Sequence, residues 1–386
     1  MYMGIVLCKN IFSITSVYCF FCFVKSHLST EKAIFCEQIK AKTKGKQEKV
    51  AKCQKMCYNQ SIKTKEKIIM LFEKAILNLY KSQLHARCDD TGLLFYYSHE
   101  DFPGLSCTPY PFRSSLGHRL SGYFYAYENP IPHRLVVFDH GFGGGHRSYM
   151  KEIEKLCRAG FRVFAYDHTG CMTSEGEGAR GFSQSLRDLD DCLQTLKADP
   201  AVCTDDISVM GHSWGGYATL NIASRHPDVK RVVVLSGFVS VKKMVEQNFA
   251  GLLKGYQKAV MALERETNPD YVDADGVATL SATDTKALLI YDEGDPLVKK
   301  SPHYIALQEG LKGKENVTLL LTEGKAHNPN YTQEAVVQLA ALQKALKKTK
   351  NLKTPAQKTA FRDSFDWEKI TEQDEALWAE ILRFLK

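Results

Sequence analysis

Residues 206–220 read DISVMGHSWGGYATL. The first five are a short apolar run with β-branched residues. Gly211, Ser213 and Gly215 then form Gly-x-Ser-x-Gly, and a helical pattern follows directly. A serine between a strand and a helix, with glycine two positions to either side, sits on a sharp turn with its hydroxyl raised above the carboxyl edge of a sheet. At a helix N-terminus, the free N–H groups and the dipole favour a developing negative charge.

Outward from this turn, strands and helices alternate. Strands are expected at 134–139, 161–166, 206–210, 231–236, 286–291 and 316–321, with helices near 148–159, 183–197, 214–226, 302–311 and 332–348. The strand runs (RLVVFD, FRVFAY, RVVVLS, KALLIY, NVTLLL) are continuously apolar rather than alternating, which fits parallel strands covered on both faces. Repeated βα units imply right-handed crossovers and a doubly wound, mostly parallel α/β sheet. The runs 93–97 (LLFYY) and 119–127 suggest an antiparallel start. Segment 241–285 interrupts the rhythm, and Val245, Phe249, Leu252, Tyr256, Val260 and Leu263 recur at helical steps. It reads as one amphipathic cap helix, with Phe249, Leu252 and Tyr256 as candidate substrate-binding residues; the alternative is a helix merely packed on the body. Tract 347–358 reads as a polar linker, and 366–386 as a last amphipathic helix within a C-terminal tail, 351–386.

A nucleophilic serine needs a base, and the base needs an orienting carboxylate. Strand 286–291 leads into DEGDP, with Asp292, Glu293 and Asp295; strand 316–321 leads into TEGKAHNP, with His327. Asp295 is preferred because it lies beyond the Gly294 turn, whereas Asp292 at the strand end suits a turn cap. His303 is a weaker base candidate, and His140 and His212 suit structural hydrogen bonds. The two oxyanion donors are expected from the Trp214 N–H and from HGFGGG at 140–145, where Phe142 comes first and Gly143 next.

HGFGGG, GHSWGG, EGDP and EGKAH, in that order, resemble the α/β-hydrolase superfamily over about residues 93–350, and within it the esterase, lipase and serine-aminopeptidase-like hydrolases. The resemblance implies an α/β-hydrolase fold and a Ser213–His327–Asp295 triad acting through an acyl-enzyme, with a small-molecule acyl substrate and no cofactor or metal. Carboxylic ester cleavage is the leading expectation. Peptidase or thioesterase chemistry, acyl transfer to an acceptor other than water, and a non-catalytic binding protein are the alternatives. Many such relatives carry D-x-R-G-x-G-x-S after the next strand; here 167–174 is DHTGCMTS, keeping Asp167, Gly170 and Ser174 but departing at Thr169 and Met172. Serine at the nucleophile position argues against dehalogenase or epoxide hydrolase chemistry. GEGARG at 176–181 lies too far beyond its strand for a dinucleotide fingerprint.

The chain has 386 residues with 44% apolar and 25% charged residues, an ordinary globular composition. The formal net charge of +7 is uneven: residues 1–69 hold 13 Lys and 4 Glu without Arg or Asp, so they carry +9 and the remainder −2. The body therefore offers no nucleic-acid footprint. Six of the 12 cysteines precede residue 58; Cys19 and Cys22 form a CxxC, but inside an apolar run and without a second pair, and no disulfide framework is visible, which favours a reducing, cytoplasmic setting. The extension 1–69 reads as a non-native upstream stretch, or as a signal or anchor around the apolar run 11–24. Membrane contact or secretion is expected only if residues 4–24 act that way. Residues 70–386 are expected to form the hydrolase domain.

Overall fold

The computed structural model describes residues 70–386; the extension 1–69 and its apolar segment 4–24 lie outside the described residues. The chain divides into a large unit containing Lys81–Lys386 and a second, Leu7–Tyr80, of which the described part, 70–80, is helical. Among the described residues, no helix is long and apolar enough to cross a membrane.

The large unit is built on ten strands: β1 (Ser106–Pro109), β2 (Phe112–Arg113), β3 (Arg119–Leu120), β4 (Gly122–Ala126), β5 (Arg134–Asp139), β6 (Arg162–Tyr166), β7 (Asp206–His212), β8 (Arg231–Leu235), β9 (Lys286–Asp292) and β10 (Val317–Thr322). Eight of them form one sheet, ordered β1-β4-β6-β5-β7-β8-β9-β10. β1 and β4 pair antiparallel, and every neighbour from β6 to β10 is parallel. β5 lies between β6 and β7, so chain order reverses there. The loops leaving β5 and β7 open a crevice at the carboxyl edge, where such sheets bind ligands.

Helices cover both faces, which explains the unbroken apolar strands. α1 (Met150–Arg158), α8 (Gln333–Leu346) and α11 (Glu375–Leu385) bury Ile153, Leu156, Cys157, Ala335, Leu339, Leu342, Trp378, Ile381 and Leu385 in one core with Val136, Phe138, Val163 and Met210. α2 (Gln184–Ala198) buries Leu186, Leu189, Cys192 and Leu193, and α3 (Ser213–Asn221) carries the serine. Between β8 and β9 lie α4 (Val241–Asn248), α5 (Gln257–Thr267) and α6 (Gly276–Ala282); α7 (Ala306–Gly310) follows β9, and α9 (Pro355–Asp363) and α10 (Trp367–Ile370) follow α8.

Four expectations change. Residues 93–97 form no strand; Leu94 is buried in the core with Phe95, Tyr96 and Tyr97 packed beside it, and the Tyr96 and Tyr97 carbonyls accept from the Arg147 guanidinium rather than from a neighbouring strand. The edge strand is instead β1, whose SCTP sequence carries little strand signal because three of its four side chains are exposed. The cap is not one helix: α4 ends at Asn248, Gly251 turns at φ 60°, and a 3-10 segment, Gly251–Tyr256, precedes α5. In the tail, α9 starts inside the expected linker with a Thr354–Gln357 capping box, and Asp374 caps α11 as a helix separate from α10.

The turn into α3 depends on bare backbone. A Cβ on Gly215 would lie 2.2 Å from the Asp139 carbonyl oxygen, and one on Gly211 would lie 2.5 Å from the Gly215 carbonyl oxygen. Gly215→Ala should therefore cost about 1–3 kcal/mol of stability by overpacking. Gly255→Ala, with nothing within 4 Å of the added atom, should stay within about 0.5 kcal/mol of the parent. Urea melts of the two variants compare these outcomes directly.

Candidate active site

Ser213 follows β7 as the first residue of α3 and adopts φ 57°, a left-handed conformation costly for a side-chain-bearing residue. Its hydroxyl oxygen lies 2.8 Å from His327 Nε2, and His327 Nδ1 lies 2.8 Å from Asp295 Oδ2. His327 and Asp295 are buried and Ser213 half-buried, so the line opens to solvent at the hydroxyl. The other Asp295 oxygen accepts from the Leu297 and Val298 N–H groups at 2.8 and 3.0 Å. Those bonds fix the carboxylate, so His327 donates from Nδ1 and presents Nε2 as acceptor.

The two aspartates have different partners. Asp292 accepts from the Gly294 N–H, the Lys325 N–H and the Thr322 hydroxyl, each at 2.9 Å. It closes the β9 turn and ties it to the loop that carries His327. His303 is fully buried, accepts from the Val239 N–H at 3.2 Å, and is held down to about 3 by that burial.

A second line of hydrogen bonds holds the first in place. Its only consistent proton assignment starts with the Gly141 N–H donating to the Tyr149 hydroxyl oxygen at 3.0 Å. Tyr149 then donates to His212 Nδ1 at 3.0 Å, and His212 Nε2 donates to the His327 carbonyl at 2.7 Å. Burial, then the neighbouring His327, keeps His212 well below the ordinary histidine value, so it stays neutral and this polarity is fixed. The chain links the loop after β5, the residue before the serine and the base. Tyr149 is the member that sequence reasoning missed, because a tyrosine entering a helix carries no motif.

The loop after β5 faces the turn. Phe142 packs edge-on against Trp214, ring centres 5.2 Å apart. Trp214 is anchored by its indole N–H on the Phe182 carbonyl at 2.7 Å and by its own carbonyl, which accepts from the Ser185 hydroxyl at 2.9 Å. As the second residue of α3, Trp214 has a backbone N–H among the helix's unpaired first donors. Gly143, the alternative oxyanion donor of the sequence reading, adopts φ 88° in the loop after β5. Of the cap residues, Phe249 is buried, Tyr256 half-buried and Leu252 73% exposed, so the three do not share one face.

Beneath this loop lies a buried charge cluster. His168 Nε2 is 2.6 Å from Asp139 and Nδ1 is 3.2 Å from Asp188. Burial pulls His168 down, but the charge of the adjacent Asp139, followed by Asp188, outweighs it and raises the imidazole to about 10. Thr169, which departs from the family pattern, donates both its N–H and its hydroxyl to Asp188 at 2.8 Å. The retained Asp167 accepts from the His146 N–H at 2.9 Å and pairs with His146 Nδ1 at 2.8 Å.

The family model described as serine aminopeptidase, S33 matches residues 130–328, just over half of the chain. Proline iminopeptidase of Saccharolobus solfataricus is 25% identical over 166 residues, 39% of this chain and 51% of its own. Monoglyceride lipase of Rattus norvegicus is 30% identical over 120 residues, 30% of this chain and 37% of its own. The chain thus spans about half or less of the length of these relatives. Among solved structures, esterase Pf2001 of Pyrococcus furiosus is 18% identical and superposes with a TM-score of 0.50 over 68% of this chain and 97% of its own, a likeness of fold.

Two expected outcomes follow from the networks. Tyr149→Phe removes the hydroxyl that serves Gly141 and His212, and urea melts should show a loss of about 1–3 kcal/mol from the buried groups left unpaired. His168 is raised in the folded state, so its stabilisation is full below its unfolded value of about 6.5 and lost as pH climbs toward 10. Urea midpoints between those pH values should fall more steeply for the parent than for the Asp139→Asn, His168→Gln double variant.

Proposed function

Because the chain belongs to the serine aminopeptidase S33 family, we propose that it is a serine hydrolase that cleaves a carboxylic ester of a small-molecule acyl substrate. The observation that carries this reading is the continuous line from Ser213 Oγ through His327 to Asp295, 2.8 Å at each step. Ester rather than amide cleavage follows the monoglyceride lipase relatives; the proline iminopeptidase relative keeps amide cleavage as the second reading.

In this mechanism His327 Nε2 takes the Ser213 proton as Oγ attacks the acyl carbon. Asp295 holds the imidazole in the required tautomer and stabilises the imidazolium. The oxyanion forms against the Trp214 N–H at the start of α3, with the Phe142 N–H as second donor, where fixed dipoles need no reorganisation. The imidazolium returns its proton to the departing alkoxide, leaving an acyl-enzyme. Water, deprotonated by His327, then releases the acid and restores Ser213. No step calls on a cofactor or metal. The cap segment, through Phe249 and Tyr256, bounds the acyl pocket, with Leu252 at its exposed rim.

Ser213→Ala and His327→Ala should each lower kcat by about 10³–10⁶-fold, with little further loss in the double variant, because the residues act as a unit. Turnover above a tenth of the parent in either variant overturns the assignment. Asp295→Asn should cost about 10⁴-fold by favouring the wrong tautomer. Asp292→Asn should act mainly on stability; the reverse pattern would exchange the two aspartates. A matched panel of p-nitrophenyl esters and aminoacyl arylamides decides between ester and amide cleavage.

A further inference from the structure

The serine, its base and its carboxylate occupy the carboxyl edge of the sheet. At the amino edge, a second group of reactive side chains converges. His133 immediately precedes β5 and Asp205 immediately precedes β7, with Cys203 two residues upstream. β5 and β7 are paired with Arg134 opposite Asp206, and the Asp206 N–H donates to the His133 carbonyl at 3.2 Å. Two central strands therefore set the spacing of these residues.

His133 Nδ1 lies 3.0 Å from Cys203 Sγ and 2.9 Å from Asp205 Oδ2, and Sγ is 3.5 Å from the same carboxylate oxygen. All three residues are exposed, and their ligand atoms lie within 4.8 Å of one another. Without a metal, Nδ1–H and the thiol both donate to the one Asp205 oxygen, so two protons hold the three atoms together. One cation can take the place of both protons and engage all three atoms at once. The adjacent Asp206 is engaged by Arg134 and Arg231 at 3.2 and 2.8 Å, whereas among the described residues Asp205 has no arginine or lysine partner.

We propose that His133, Cys203 and Asp205 form a surface site for a divalent transition-metal ion of the zinc class. One imidazole nitrogen, one thiolate and one carboxylate make a borderline-soft set that suits zinc, whereas magnesium and calcium take oxygen shells. Zinc–ligand distances of about 2.0–2.3 Å place tetrahedral neighbours about 3.5 Å apart, so the trio opens by about half an ångström to admit the ion. Exposed side chains on a fixed backbone can move that far, and the fourth position falls to water. On binding, the Cys203 thiol releases its proton to solvent, Nδ1 coordinates with the imidazole proton on Nε2, and the thiolate and carboxylate charges balance the dication. Sequence reading assigned no metal ligand because His133 and Cys203 are 70 positions apart and meet only through the β5–β7 pairing.

The test is the iodoacetamide alkylation rate of Cys203, followed at the peptide level by mass spectrometry on the reduced full chain, so that the other cysteines do not enter the signal. Zinc should slow Cys203 alkylation at least tenfold and magnesium should leave it unchanged. His133→Asn, which tolerates the φ of 62° at that position, and Asp205→Asn should each cut the zinc protection below threefold. Cys203→Ser should leave ester turnover within twofold of the parent, since Cys203 lies across the sheet from Ser213. Zinc without effect on the parent, or protection undiminished in either variant, overturns the proposal.

Discussion

The contact between the start of α3 and the end of β5 is one of backbone on backbone, and the arrangement of the active site depends on it. Gly215 faces the carbonyl of Asp139 with no room for a methyl group. That approach lets the chain leave β7 and enter a helix within one residue, forcing Ser213 to φ 57°. The strain is local and the parallel sheet holds it, with β7 paired to β5 on one side and β8 on the other. A serine in an ordinary helix would lie along the helix surface; here its hydroxyl stands at the helix N-terminus and within reach of His327.

The turn is held in register with His327 and the loop after β5 by hydrogen bonds between loops. Three loops meet there, after β5, β7 and β10. The line through Gly141, Tyr149, His212 and the His327 carbonyl ties all three together with protons whose placement is uniquely defined. Asp292 performs the matching task between the β9 and β10 loops. The carboxylate that faces the imidazole is thus free of structural duty on one oxygen and fixed by two backbone N–H groups on the other.

The His168 cluster shows how the loop after β6 joins this assembly. A buried imidazolium between two aspartates is costly to desolvate, and its worth lies in geometry as much as in stability. Asp139 ends β5, His168 follows β6, and Asp188 lies on α2. The His168 N–H also donates to His140 Nε2 at 3.0 Å, which aligns the first residue of the loop after β5. Thr169 donates twice to the same Asp188, so the departure from the family pattern is taken up by a local network.

The central strands, the helices between them and the loops that bring Ser213, Asp295 and His327 together were legible in the sequence because each is a local pattern. Burial on both faces makes a parallel strand apolar throughout, and a strand-to-helix turn around serine requires glycine where backbones touch. The turn role of Asp292 was legible for the same reason, since a carboxylate at a strand end suits a turn. What the sequence concealed is non-local or unpatterned. LLFYY at 93–97 has the composition of a strand but pairs with none, its Tyr96 and Tyr97 carbonyls taken by Arg147, whereas SCTP at 106–109 has almost no strand signal and forms the edge strand through main-chain pairing with β4. The cap's helical periodicity runs straight through Gly251, where the backbone turns. Tyr149, His168 and the trio at His133, Cys203 and Asp205 acquire their partners only when segments tens of residues apart are laid side by side. Periodicity and turn chemistry act between neighbours along the chain and so determine elements and motifs, whereas hydrogen-bond partners between loops depend on strand order and register, which the folded sheet alone decides.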